Sequence, residues 1–181
     1  MAVTGIVLAA GAGSRLGTPK ALVRTADGEP WVARASALLQ LAGCERVVVV
    51  LGASAGDARA LVPARAEIVL ADDWAEGMSA SLRAGLAAAT GTAALITLVD
   101  LPELPLAVVR RVARGRPTTT DLRQATYGGR PGHPVLIGAA HWQAVAATVS
   151  GDRGARPYLV EFGVDEVECG DLWGGADVDR R

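Results

Sequence analysis

The chain has 181 residues, half of them hydrophobic and only 4% aromatic, with a formal net charge of −1 at pH 7. That length suits one well-buried domain, read here as residues 1–181, and a core made of Ala, Val and Leu suits helices packed on a parallel sheet. The near-zero charge gives no field to attract a nucleic acid, and the longest early apolar stretch, 5–10, is too short for a signal core or a membrane span. The expectation is therefore a cytoplasmic protein with neither a polyanionic nor a membrane partner.

In chain order, short β-branched runs at 5–9, 46–51, 67–70, 93–99, 134–137 and 165–169 read as strands. Between them, 31–42, 56–62, 79–89, 106–114, 140–149 and 155–162 carry apolar residues at helical spacing or a cap in front. This alternation predicts a three-layer α/β/α fold with a mainly parallel, Rossmann-like sheet. Residues 115–132 break the rhythm with Pro117, three threonines, Gly128, Gly129 and Pro131, and read as a loop or hairpin insertion over one edge of the site. Cys44 and Cys169 lie far apart without metal-ligand spacing and read as two buried, reduced thiols.

The first strand runs into Gly11-Ala12-Gly13-Ser14-Arg15-Leu16-Gly17-Thr18-Pro19-Lys20, where Lys20 is the only lysine against 17 arginines. A compact ammonium beside outward-facing backbone N–H groups suits a phosphate. The dinucleotide fingerprint needs a glycine at the sixth position, where Leu16 stands, and the ATPase phosphate loop needs Gly before its lysine, where Pro19 stands. Gly11 and Gly13 would let the backbone approach a triphosphate, with Arg15 and Lys20 opposing the charge of a departing pyrophosphate.

The strand at 93–99 ends in Asp100-Leu101-Pro102, which sets one carboxylate on the same sheet edge as the glycine loop. Nucleotidyl transfer needs a hard cation across the phosphate oxygens, and Mg2+ takes one or two protein carboxylates beside water and phosphate. Asp100 is the candidate ligand, with a helix-capping role as the alternative. Asp177 and Asp179 are the candidates for a second carboxylate, while Asp72 and Asp73 read as a loop acid pair.

The run Leu8-Ala9-Ala10-Gly11-Ala12-Gly13-Ser14-Arg15 with Pro19-Lys20 resembles the signature of nucleotidyltransferases that activate sugars, alditols and cofactors. Four later stretches, Gly77-Met78-Ser79-Ala80-Ser81-Leu82, Asp100-Leu101-Pro102, Gly132-His133-Pro134-Val135-Leu136 and Gly151-Asp152-Arg153-Gly154-Ala155-Arg156, narrow it. Together they make the chain similar, over essentially its whole length, to MobA-like nucleotidyltransferases of the molybdenum cofactor cytidylyltransferase type. The resemblance implies transfer of CMP from CTP to the phosphate of molybdenum-molybdopterin, release of pyrophosphate, dependence on Mg2+, and a molybdenum hydroxylase or its maturation factor as a partner. Ala10 favours cytidine, because guanylyl-transferring relatives carry a second glycine there.

The same resemblance assigns the first loop and Lys20 to the nucleotide, the Gly77 to Leu82 turn with Ser79 and Ser81 to the nucleotide or acceptor, Arg153 and Arg156 to the acceptor's phosphate, and Asp100 to the metal. His133 is read as shaping the pocket. The chain departs from its relatives after Asp179, where Arg180 and Arg181 replace their usual continuation. Three rivals stand beside this reading: a transferase for another small phosphate, an NAD(P)H-dependent oxidoreductase, and a non-catalytic carrier of the molybdenum cofactor.

Overall fold

A computed structural model describes residues 2–14 and 16–178. The elements follow in the order β1 (Val3–Ala9), α1 (Trp31–Leu41), β2 (Arg46–Leu51), α2 (Ala55–Ala58), β3 (Glu67–Leu70), α3 (Met78–Ala88), β4 (Ala93–Leu98), α4 (Leu106–Val112), β5 (Leu122–Tyr127), β6 (Arg130–Gly138), α5 (Trp142–Thr148), α6 (Arg156–Glu161) and β7 (Asp165–Glu168). The strands form one sheet in the order β3-β2-β1-β4-β6-β5-β7. Among the described residues β6 alone runs against the others, since it pairs antiparallel with β4 and β5 while the remaining pairings are parallel. The expected three-layer, mainly parallel fold is the fold observed.

Continuous apolar runs such as Val47-Val48-Val49-Val50-Leu51 are buried on both faces, as a covered parallel sheet requires. Val7, Val49 and Leu95 face α1 and α4 through Val32, Leu39, Val108 and Val112. Ile6, Val48, Ile96 and Ile137 face α3, α5 and α6 through Leu82, Leu86, Val145 and Leu159. Gly85 sets the depth of one contact: a Cβ there would come within 2.8 Å of Ile6, so its lack of a side chain lets α3 lie close on β1. Cys44 and Cys169 are both buried and unbonded, and desolvation pushes the Cys44 thiol up to about 12. Among the described residues no helix is long and apolar enough to cross a membrane.

The segment at 115–132, expected as a loop or hairpin insertion, supplies most of a hairpin that is built into the sheet. Residues 122–138 form a hairpin turned at Gly128 and Gly129, both with positive φ, and β5 lies inside the sheet between β6 and β7 instead of standing apart as an insertion. Its buried positions include Gln124 and Thr126, polar residues that hide the apolar alternation of a strand.

After β3 the chain crosses back to place β4 on the other side of β1, so the direction of winding reverses between β1 and β4. Such a reversal opens a crevice at the carboxyl ends of the two strands. Leu8 pairs with Leu98 across that join, and the Val99 N–H donates to the Leu8 carbonyl at 3.2 Å. The glycine loop and Asp100 are therefore brought to the same place by strand register alone.

Candidate active site

A cavity of about 360 Å³ opens at this crevice, lined by Leu8, Ala9, Ala10, Gly11, Gly13, Ser14, Lys20, Gly77, Ser81 and Asp100, together with Trp74, Met78 and Asp152. Its two prominent glycines serve different ends. Gly13 has φ +64°, its carbonyl accepts from the N–H groups of Leu16 and Gly17, and a Cβ there would collide with the Thr18 carbonyl. Gly11 meets nothing within 4 Å where a Cβ would stand. Gly13 is thus required for the loop to fold back on itself, whereas Gly11 presents bare backbone to the cavity.

Pro19 holds an extended conformation ahead of a 3-10 turn, Lys20–Leu22, which is pinned by the buried Ala21. This turn aims Lys20 at the crevice, where its Nζ lies 2.5 Å from Oδ2 of Asp100. The pair is nearly sequestered, with side-chain exposures of 19% and 9%. Oδ1 of Asp100 is buried and has no hydrogen-bond partner among the described residues. A buried carboxylate oxygen without a donor is costly, and a cation is the natural means of satisfying it. Among the described residues no group of three His, Cys, Asp or Glu side chains could hold a metal ion. One carboxylate fits Mg2+ all the same, because that ion fills its shell with water and substrate phosphates.

The backbone carbonyl of Asp100 accepts from the Val178 N–H at 3.0 Å, which brings the C-terminal segment beside the site. Asp177 is exposed and does not line the cavity. Arg15 and Asp179, both expected to act here, lie outside the described residues. Asp73, read as half of a loop acid pair, is engaged by Arg83 at 2.9 Å, and that bond holds its carboxyl below the usual range.

The start of α3 forms the opposite wall. Gly77 has φ +109°, and a Cβ there would press on Gly151 and the Asp152 carboxylate. Asp152 Oδ1 in turn accepts from the Met78 N–H at 3.3 Å, at the positive end of the helix. The Gly77 and Gly151 stretches, remote in sequence, therefore form one surface. Ser81 faces the cavity, but Ser79 is buried beneath the helix with an unpartnered hydroxyl and does not line it.

A second cavity of about 240 Å³ adjoins the first and shares Leu8, Met78 and Asp152 with it. Its floor is apolar, with Leu82, Ile96, Val135, Ile137 and Leu159, and its polar lining includes Gln124, His133, Arg153 and Arg156. Arg153 and Arg156 are both exposed at this rim. Desolvation depresses the His133 imidazole to about 4, so the ring is neutral at pH 7. The structure brings the two arginines and His133 together along this one cavity, whereas the places of Trp74, Met78, Asp152 and Gln124 emerge only from the packing.

A crevice at a winding reversal, with a bare glycine backbone and a lysine paired to a buried carboxylate, is the site of a nucleotidyltransferase-like protein. The chain belongs to the MobA-like NTP transferase domain family, whose pattern matches residues 5–166. It is 44% identical over 192 residues to a protein named nicotine blue oxidoreductase from Paenarthrobacter nicotinovorans, covering 98% of this chain and 92% of that one. Among solved structures it is similar to Rv0371c from Mycobacterium tuberculosis H37Rv, with a TM-score of 0.84, 28% identity, and 99% and 94% of the two chains covered. A structure of Rv0371C in complex with manganese matches with a TM-score of 0.75 and 26% identity over 93% and 89% of the chains.

Proposed function

We propose that the protein transfers CMP from CTP to the terminal phosphate of molybdenum-bearing molybdopterin, in a reaction dependent on Mg2+. The observation that carries this reading is the Lys20–Asp100 pair at the floor of the glycine-lined crevice, with one carboxylate oxygen buried and unsatisfied. An ammonium and a metal-ready carboxylate in contact are what a nucleotide polyphosphate with its cation would separate and use. The manganese complex of a structural relative supports a divalent cation in this fold.

In the proposed reaction an oxygen of the acceptor phosphate attacks the α-phosphorus of CTP in line with the leaving group. The new P–O bond forms as the bond from the α-phosphorus to the bridging oxygen of pyrophosphate breaks, and the electron pair leaves with pyrophosphate. The acceptor phosphate is ionised at neutral pH, so no protein nucleophile or base is required. Gly11 admits the polyphosphate to the backbone, Lys20 meets the charge that grows on pyrophosphate, and Arg153 and Arg156 hold the acceptor's phosphate in the second cavity. Mg2+ would be held by Asp100 and would supply Lewis-acid charge across the phosphate oxygens.

A second reading, an NAD(P)H-dependent oxidoreductase, is favoured by the name of the 44% identical relative. Thermal-shift titration with CTP, GTP, ATP and NADPH, each with and without Mg2+, separates the two. Stabilisation by CTP that requires Mg2+, followed by pyrophosphate release with the molybdenum cofactor, is the expected result. A response to NADPH alone would replace transfer with the redox reading.

A further inference from the structure

Gln124 lies in β5 where the pairing with β6 shifts register, and only 6% of it is exposed. Its Nε2 donates to the Gly132 carbonyl at 3.3 Å, and its Oε1 accepts from Nη1 of Arg156 at 3.3 Å. Those two partners belong to separate stretches that line the second cavity, one entering β6 and the other opening α6. A carboxamide at this depth is costly unless both of its ends are bonded, and here each end is tied to a different wall.

The choice of an amide is informative. Six arginines elsewhere, Arg34, Arg46, Arg83, Arg111, Arg114 and Arg123, are each held by an Asp or Glu carboxylate. Arg123, next to Gln124 in the same strand, bonds Asp121 at 2.5 Å. At Arg156 the partner is neutral. A carboxylate would fix the guanidinium but cancel its charge, whereas an amide oxygen fixes it and leaves the charge available to a ligand. The other charged groups lining this cavity are Arg153 and Asp152, and Asp152 is committed to the N–H of Met78.

We propose that Gln124 is a positioning residue that orients Arg156 over the second cavity, so that its guanidinium engages the anionic group of the acceptor. The inference rests on the transferase reading above, with the acceptor's phosphate as that group.

The test measures pyrophosphate release at saturating CTP and Mg2+ with varied molybdenum-molybdopterin, for the wild type, Gln124→Leu, Arg156→Ala and the double variant. Gln124→Leu is expected to raise the acceptor KM roughly tenfold, the worth of one well-placed hydrogen bond, and to leave kcat and the KM for CTP within about twofold. In the Arg156→Ala background the same substitution is expected to add nothing, because its effect passes through Arg156. Gln124→Glu, which holds the guanidinium but neutralises it, is expected to raise the acceptor KM and to make it less sensitive to salt.

If Gln124→Leu does not fold, Gln124→Met, closer in shape to the amide and equally uncharged, gives the same cycle with and without Arg156→Ala. An unchanged acceptor KM, or a full tenfold step persisting without Arg156, overturns the assignment of Gln124 while the transferase reading stands. A wild-type protein that releases no pyrophosphate with this acceptor overturns the reading and the inference together.

Discussion

The two cavities share a wall at Leu8, Met78 and Asp152, yet their charge is arranged in opposite ways. The first holds a lysine and a carboxylate in direct contact, a balanced pair that can open to receive an anion and a cation together. The second carries two rim arginines and an imidazole kept neutral by desolvation, a net positive pocket over an apolar floor suited to an anion on an otherwise apolar body. Under the proposed function, the first arrangement suits a metal-bound polyphosphate and the second a ligand that brings no cation of its own.

Breaking the pair in the first cavity has the largest expected effect. Lys20→Ala should slow pyrophosphate release roughly 10²–10³-fold, the usual cost of losing a donor aimed at developing charge. It should also destabilise the protein by about 1–3 kcal/mol, because Asp100 is left buried without its counter-charge. Adding Asp100→Asn to Lys20→Ala removes that stranded charge, so urea midpoints should recover while activity does not. Recovery of both would mean that the pair serves only the fold.

The glycine loop offers a finer cut. Gly13→Ala should cost about 2 kcal/mol or more, since the residue sits at φ +64° with the Thr18 carbonyl in the way. Gly11→Ala should change stability by less than about 0.5 kcal/mol, because its Cβ meets no protein atom. It should nonetheless raise the KM for CTP roughly tenfold by filling the space a phosphate needs. Equal stability loss in both variants would place Gly11 in the scaffold.

The first cavity was largely legible in the sequence, while of the second only Arg153, Arg156 and His133 were, for reasons of range. The glycine spacing, Pro19-Lys20 and the strand ending in Asp100 are local patterns, and the parallel fold that joins them follows from the alternation of strand and helix. Even there the contact between Lys20 and Asp100, 80 residues apart, needed the sheet register to appear. The second cavity depends on β5, whose Pro- and Gly-rich flanks and buried Gln124 and Thr126 disguise a central strand. Those residues are polar because Arg156, 32 residues on, and Glu168, 42 residues on, supply their partners. The polar residues are visible in the sequence, but the groups that satisfy them are not.

Acid sharpens the contrast further, because the hairpin carries titratable groups bound into its fold. His133 titrates near 4 in the folded protein against an ordinary 6.5, so between those values the unfolded chain takes up a proton that the folded one refuses. Its contribution therefore makes stability fall as pH drops from 6.5 to 4 and level off below. His133→Gln should flatten that part of the urea-midpoint profile. A wild-type slope that persists in the variant would assign it to other groups.

The smallest expected effect concerns Glu168, which fastens the hairpin from β7. Its carboxylate accepts from the N–H groups of Gly128, Gly129 and Gly170 at 2.9, 3.2 and 2.8 Å, and from the Thr126 hydroxyl at 2.9 Å. These bonds, led by the one from Gly128, hold its pKa down to about 2 from 4.5. A depressed carboxyl stabilises fully above 4.5 and loses that contribution as pH falls towards 2, so this window lies below that of His133. Glu168→Gln should be less stable than the wild type at pH 7 and 5, with the gap closing at pH 3. The same variant should raise the KM of the acceptor slightly and leave that of CTP unchanged, since the hairpin carries Gln124 and His133 but no part of the glycine loop. A gap as wide at pH 3 as at pH 7 would show that packing, and not the ionised carboxylate, holds the turn.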